Sequence, residues 1–297
     1  MAEMLSLEAF EEASEKVREV TLETKLVESP HFSAQTGNRV WLKPENLQRT
    51  GAYKVRGAYY KISGLAPEEL SRGIITASAG NHAQGVACAA QRLNTKAVIV
   101  MPTNANPVKL AGVKAFGGEV ELVGTLSSQR EARAQQLVEE AGMVNVHPYA
   151  DPYVAAGQGT IGLEILEQLP DVEQIVVPIG GGGLITGIAL TMKTLKPSVK
   201  IYGVMPVGSA VYVESRRQGQ LVTLDHCSSM ADAVVRKTGE EYLYPYIEKY
   251  VDDIFTVTED SIRQAVRTAC LYGKLTLEGS GALALAALLE KKCPLSP

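Results

Sequence analysis

Short runs of apolar, β-branched residues alternate with longer helical patterns along most of this chain, and that alternation narrows the possible folds more than any other feature. GIITAS (73–78) leads into NHAQGVACAAQRLN (81–94), then KAVIVMP (96–102), PVKLAGVKAFG (107–117) and EVELVG (119–124). Further on, QIVVPIG (174–180) is followed by the helical LITGIALTMKTLK (184–196) and by IYGVMP (201–206). Strand and helix in turn point to α/β units with parallel strands. Runs such as QIVVPI and KAVIVM are apolar throughout, as expected where helices cover both faces of a sheet. The expected fold is therefore α/β, with open, mostly parallel twisted sheets flanked by helices.

The strand–helix units fall into two clusters, roughly Gly51 to Asn145 and His147 onward, which predicts two domains. A smaller domain at 48–145 would be inserted into a larger one built from 1–47 and 146–297. A cleft between two such domains is a common cofactor site. The length of 297 residues is enough for two hydrophobic cores. A net charge of −4 argues against a nucleic acid as the main partner. The four cysteines, Cys88, Cys227, Cys270 and Cys293, show neither CxxC nor metal-ligand spacing and read as reduced, small apolar residues. The start, MAEMLSLEAFEEASEKVREV, lacks the basic and apolar regions of a signal peptide. No uncharged apolar stretch reaches the ~18 residues of a membrane span. A cytoplasmic location is the resulting expectation.

Three segments carry chemistry. In Lys43-Pro44-Glu45-Asn46-Leu47-Gln48-Arg49-Thr50-Gly51-Ala52-Tyr53-Lys54-Val55-Arg56-Gly57-Ala58, Lys54 stands among small residues where a helix begins. A lysine so placed can attack a carbonyl, although most lysines are solvated surface charges. In Thr76-Ala77-Ser78-Ala79-Gly80-Asn81-His82-Ala83-Gln84-Gly85, a strand turns into a helix. Free backbone N–H groups at Ser78, Ala79 and Gly80 would suit a carboxylate; the alternative is that Ser78 only caps the helix. His82 reads by itself as a capping or packing residue. In Pro178-Ile179-Gly180-Gly181-Gly182-Gly183-Leu184-Ile185-Thr186-Gly187, a strand enters four glycines and a helix follows. Each ordered glycine costs about 0.5–1 kcal/mol of extra backbone entropy. The run makes sense where a phosphate must approach several N–H groups, a flexible turn being the alternative. The spacing matches neither GxGxxG nor GxxxxGK[ST]. A reactive lysine, a carboxylate turn and a phosphate cradle together suit a phosphorylated aldehyde cofactor acting on an amino acid, which is the chemistry of pyridoxal 5′-phosphate.

With these motifs the sequence resembles the fold-type II pyridoxal phosphate enzymes, of tryptophan synthase β-like fold, and among them the threonine/serine dehydratase and serine racemase branch. The resemblance rests on KPENLQRTGAYKVRGA, TASAGNHAQGVA, MPTNANPVK, AGQGTIGLEI, PIGGGGLITGIA and EGSGALALAALL, in that order along nearly the whole chain. It implies that Lys54 bonds the cofactor and later takes the Cα proton, its amine neutral once released. It implies that Tyr53 packs near the cofactor and that Asn81 hydrogen-bonds the ring's 3′ oxygen. Gly180, Gly181, Gly182, Gly183 and Leu184 would hold the phosphate, which could itself protonate the departing hydroxyl. Ser78, Ala79, Gly80, His82 and Gln158 would line the substrate pocket, and the larger domain would be the cofactor-binding one. The expected activity is an ammonia-lyase that turns L-threonine or L-serine into a 2-keto acid and ammonia. Serine racemase, another hydroxy-amino-acid lyase and a non-catalytic cofactor- or amino-acid-binding protein are the alternatives. The family's usual homo-oligomer, dimer or tetramer, is also implied.

Several positions depart from the family pattern. Racemases place a serine acid/base just before the glycine of SxGN, where this chain has Ala79; that favours elimination. Many relatives bind a divalent cation through a glutamate and an aspartate at the positions of Met205 and Val211, so no metal is expected here. The family's Ser-Gly-Gly segment, which meets the pyridine nitrogen, is not found before the sequence ends at Pro294-Leu295-Ser296-Pro297; Ser280 is the substitute candidate. Ala233, where glycine is usual, would narrow the substrate pocket. No regulatory domain is expected, nor feedback inhibition by isoleucine.

Overall fold

The computed structural model describes residues 5–294. They form two compact units, one from the described residues up to Glu23 with Leu47–Thr160, the other from Thr24–Asn46 with the described residues from Ile161 on.

The first unit is built on a parallel sheet of β1 (Ile74–Ala77), β2 (Ala97–Met101), β3 (Glu119–Leu122) and β4 (Val144–Asn145), in spatial order β3-β2-β1-β4. All five residues of β2 are buried, as a strand covered on both faces requires. The edge strand β3 is exposed at its two ends, Glu119 and Leu122, and half-buried between them. Two helices lie closest to the chemistry of this unit, α1 (Val55–Ser63) and α2 (Asn81–Arg92). Their buried faces meet in one core with Val55, Ala58, Tyr59, Ile62, Ala83, Val86, Ala87 and Ala90. The small residues of α2 allow that close approach. The chain runs from β1 outward through β2 to β3, then returns to the other side of β1 as β4. The sheet therefore has a topological switch point between β1 and β4, and ligands of such sheets bind outside the carboxyl ends of the strands at that place.

The second unit has a parallel sheet of β5 (Gln174–Pro178), β6 (Lys200–Pro206) and β7 (Asp253–Val257), in that spatial order. A small antiparallel ribbon pairs Val27–Glu28 with Trp41–Leu42. The helix Gly279–Leu289 is apolar almost all round, and its Ala282, Leu283, Ala286 and Ala287 are buried in a core with Val204, Val257, Ile262 and Ala265. At the base of β6, Asp252 accepts from Lys193, Lys200 and the Ile201 amide at 2.7–2.9 Å. Burial opposes its ionisation, but these hydrogen bonds outweigh that and hold its pKa down to about 2. The α/β architecture with parallel sheets agrees with the expectation from the alternating pattern, strand for strand through QIVVPIG and IYGVMP. Among the described residues no helix is long and apolar enough to cross a membrane.

Candidate active site

The first unit gathers its chemistry at the switch point. Strand β1 delivers Ser78–Gly80 and the start of α2; strand β4 delivers Val146, His147 and Pro148. Lys54, immediately before α1, donates from Nζ to the Pro148 carbonyl at 2.6 Å. The same Nζ lies 5.4 Å from the centre of the Tyr53 ring. Gly85 of α2 is what lets the lysine's backbone come so close. A Cβ there would stand 3.0 Å from the Lys54 carbonyl carbon and 3.1 Å from its oxygen.

His82 is 3% exposed, and its Nε2 meets the Val146 carbonyl at 2.8 Å. The Thr76 hydroxyl donates to that same carbonyl, also at 2.8 Å. Burial pushes the His82 pKa down to about 3, and the positive charge of Lys54 works in the same direction. The ring is thus neutral near pH 7. A neutral imidazole facing a carbonyl must carry its proton on Nε2, which leaves Nδ1 as a buried acceptor without a partner among the described residues.

Ser78 does not cap α2. Its hydroxyl oxygen accepts from the Gly80 amide at 3.4 Å, while the N-cap itself is Gly80, with no side-chain cap. The positive end of this 12-residue helix therefore opens on backbone groups of the Ser78–Asn81 turn. Ser78, Ala79, Gly80 and Asn81 are all half-buried. Gln158 is 1% exposed and folds over Gly57, where a Cβ would overlap its Nε2. Its Oε1 accepts from the Gly57 amide at 3.3 Å, and its Nε2 is a buried donor without a partner among the described residues. The first unit thus holds Lys54, Tyr53 and the Ser78–His82 turn at the switch point, with Gln158 packed on Gly57, three residues beyond the lysine.

Gly180–Leu184 belong to the second unit, at the carboxyl end of β5. The helix α3 (Gly183–Leu195) begins there with Gly182 as N-cap, at φ +99° and with no side-chain cap. A Cβ on Gly182 would stand 2.8 Å from Ile247 Cδ1 and 3.1 Å from Tyr212 Oη, and one on Gly180 would be 3.1 Å from Val234 Cα. The Tyr212 hydroxyl donates to the Gly181 carbonyl at 3.0 Å and accepts from the Glu240 amide at 2.9 Å, which fixes the turn from behind. Thr186, 1% exposed in the first turns of α3, has a buried hydroxyl without a partner among the described residues. A hydroxyl three residues beyond a glycine run was the only hint of it in the sequence. Close by in this unit, Ser280 accepts from the Ala233 amide at 3.2 Å, which leaves its own proton available to donate. Met205 and Val211 are fully buried. The sequence end at Leu295, Ser296 and Pro297 lies outside the described residues.

The residues of 17–297 match the family model described as pyridoxal-phosphate dependent enzyme. The chain belongs to this family. It is 42% identical over 288 residues to an L-threonine ammonia-lyase of Thermotoga maritima, covering 97% of this chain and 72% of that one. Among solved structures, the processed form of threonine deaminase isoform 2 from Solanum lycopersicum has a TM-score of 0.91 at 40% identity, covering 96% of this chain and 85% of that one. Maize serine racemase has a TM-score of 0.94 at 35% identity, covering 97% and 87%. The enzyme is thus a fold-type II pyridoxal phosphate-dependent lyase, a dehydratase. The glycine turn fits the cofactor's phosphate because it starts a helix that no side chain caps, with Gly180 and Gly182 packed too closely on Val234, Ile247 and Tyr212 to carry a Cβ.

Proposed function

We propose that this dehydratase acts on a small β-hydroxy-amino acid, L-threonine or L-serine, and releases a 2-keto acid and ammonia. One observation carries the reading: the Lys54 amine stands at the switch point of its sheet, and the lysine's backbone packs on the same helix α2 whose uncapped start offers amides to a carboxylate. The names of the Thermotoga and tomato relatives agree with that substrate class.

When bound, pyridoxal phosphate supplies an electron sink for charge left at the substrate's Cα. Lys54 Nζ would hold its aldehyde carbon, with Tyr53 packed beside it and Asn81 on the 3′ oxygen. The amides of Gly180, Gly181, Gly182, Gly183 and Leu184 would hold the phosphate. Ser78, Ala79, Gly80, His82 and Gln158 would receive the amino acid. Lys54 Nζ, once released, takes the proton from Cα, and the Pro148 carbonyl is at hand to keep the resulting ammonium oriented. His82 is no proton donor in this scheme, since it is neutral and its one N–H is committed to Val146. It positions the turn instead.

The likeness to maize serine racemase raises racemisation as a second reading. Racemisation needs an acid/base group on each face of the substrate, and the methyl of Ala79 supplies none. Elimination needs only Lys54. A homo-oligomer in the cytoplasm is the setting we propose for this activity.

The test is a coupled assay for keto acid from L-threonine and L-serine with purified, cofactor-supplemented protein, beside Lys54→Ala. Turnover in the parent and none in the variant is the expected result. A parent that binds the cofactor yet turns over neither amino acid would overturn the proposed substrate class.

A further inference from the structure

We infer that Lys61 and Asp151 form a positioning pair for Lys54; the inference rests on the proposed role of Lys54 as the lysine that bonds the cofactor. Lys61 Nζ meets Asp151 Oδ2 at 2.9 Å, and the two side chains are 18% and 13% exposed. Lys54 has helical backbone angles although it stands just before α1. Lys61 follows it by seven residues, about two helical turns, so the two lysines lie on one face. Asp151 follows Pro148 by three residues. One short segment therefore offers a carbonyl to Lys54 and a carboxylate to Lys61.

That segment is pinned along its length. Its Val146 carbonyl accepts from Thr76 and His82, and the His147 ring accepts at Nδ1 from the Ala150 amide at 2.8 Å. Asp151 Oδ1 accepts from the Tyr153 and Val154 amides at 2.8 and 3.2 Å, where the helix Pro152–Gln168 begins. The helix dipoles favour both charges, a carboxylate at that start and a lysine in the last turn of α1. The Lys61 ammonium also stands 4.9 Å from the centre of the Tyr153 ring. Further along, the two helices meet backbone to backbone, since a Cβ on Gly157 would be 2.6 Å from Gly57 Cα. Contacts of 57 with 157 and of 61 with 151 make the helices antiparallel. The glycine contact is thus a fulcrum on α1, with Lys54 on one side of it and the ion pair on the other. Releasing Lys61 frees the far arm, and Lys54 shifts against the Pro148 carbonyl in response. The simpler account is an ion pair that only stabilises the fold; it predicts a lower melting temperature with kcat unchanged in the protein that stays folded.

The experiment sets pyridoxal phosphate beside pyridoxine 5′-phosphate, which carries the phosphate but no aldehyde for a lysine to attack. Lys61→Met keeps the stem and removes the charge, and Asp151→Asn keeps an acceptor for the two amides. In either variant kcat for keto acid formation should fall about tenfold or more, the scale of a displaced reacting group. KM should change by less than about threefold. Covalent attachment of pyridoxal phosphate to the stripped protein, followed by visible absorbance, should slow by a factor similar to that in kcat. Affinity of the stripped protein for pyridoxine 5′-phosphate, read by fluorescence titration, should stay at the parent value. Lys61→Arg should recover most of the loss. The double variant Lys61→Met/Asp151→Asn leaves no unpaired charge, so it should melt closer to the parent than either single variant and still show the kinetic loss. Parent kcat and attachment rate in the double variant would overturn the inference, as would equal weakening of both phosphates. Covalent attachment that persists in Lys54→Ala would overturn the underlying reading of Lys54. Attachment lost in Lys54→Ala but untouched in the Lys61 and Asp151 variants overturns this inference alone.

Discussion

Gly85 lies directly against the backbone of Lys54: a Cβ at position 85 would be 3.0 Å from the lysine's carbonyl carbon and 3.0 Å from the next amide nitrogen. The neighbour is main chain, so it cannot swing aside as a flexible side chain would. Gly85→Ala should therefore push Lys54 rather than be absorbed. Overpacking of this kind costs about 1–3 kcal/mol, and a misplacement of order 1 Å at a reacting group can cost about 100-fold in rate. We expect keto acid formation to drop at least tenfold in a variant that still folds, as read by steady-state kinetics beside thermal melting. Full activity in a folded Gly85→Ala protein would mean that the placement of Lys54 tolerates more than this geometry allows.

The neutral state of His82 has a consequence for stability. Its folded pKa of about 3 lies below the ordinary value of 6.5, so between those limits the unfolded chain binds more protons than the folded one. Stability from this group is complete above about pH 6.5 and is lost as pH falls toward 3. Each unit of pKa difference is worth about 1.4 kcal/mol, which makes the total several kcal/mol for a residue this buried. His82→Gln keeps a donor for the Val146 carbonyl but removes the titration. Melting temperature plotted against pH should fall more steeply for the parent than for His82→Gln between pH 6.5 and 4. Parallel curves would show that other groups dominate acid unfolding.

Much of the fold was legible in the sequence because the strands are apolar runs bounded by Gly, Asn and Ser, and because glycine is needed where the backbone must be approached. GIITAS, KAVIVMP and QIVVPIG became β1, β2 and β5, and the helices after β1 and β5 begin at Asn81 and Gly183. The partners of the site residues were not legible. The Val146 and Pro148 carbonyls that hold His82 and Lys54 come just after a strand of only two residues, too short for any periodic signal, and carbonyls are the same in every residue. The reading of Ser78 as a simple helix cap also fails on geometry, because its hydroxyl bonds the Gly80 amide and stops short of the helix.

Gly182 combines two constraints that a pair of variants can separate. Its φ of +99° strains any other residue, and its Cβ would stand 2.8 Å from Ile247 Cδ1. Gly219 has a similar φ of +69° with nothing within 4 Å of a Cβ. Alanine at 219 should cost the backbone strain alone, about 1–2 kcal/mol, and leave cofactor affinity intact. Alanine at 182 should distort the turn that Tyr212 braces and weaken pyridoxal phosphate binding about tenfold or more, as measured by fluorescence titration of the stripped protein. Equal effects of the two substitutions on cofactor affinity would remove the glycine turn from the phosphate site.

Met205, in β6, and Val211, at the start of the helix Val211–Gln218, are both fully buried, at the positions where the family resemblance implies acidic cation ligands in many relatives. A thioether and an isopropyl group give a hard cation no oxygen, and among the described residues no cluster of three or more His, Cys, Asp or Glu side chains is placed to hold a metal. Exhaustive chelation should therefore leave both keto acid formation and the melting temperature where they were, and added Mg²⁺ should change neither. Met205→Glu should be strongly destabilising, because it would bury a carboxylate with no partner, at a cost of several kcal/mol. Activity that disappears on chelation and returns with Mg²⁺ would show that a cation is held by oxygens elsewhere in the protein.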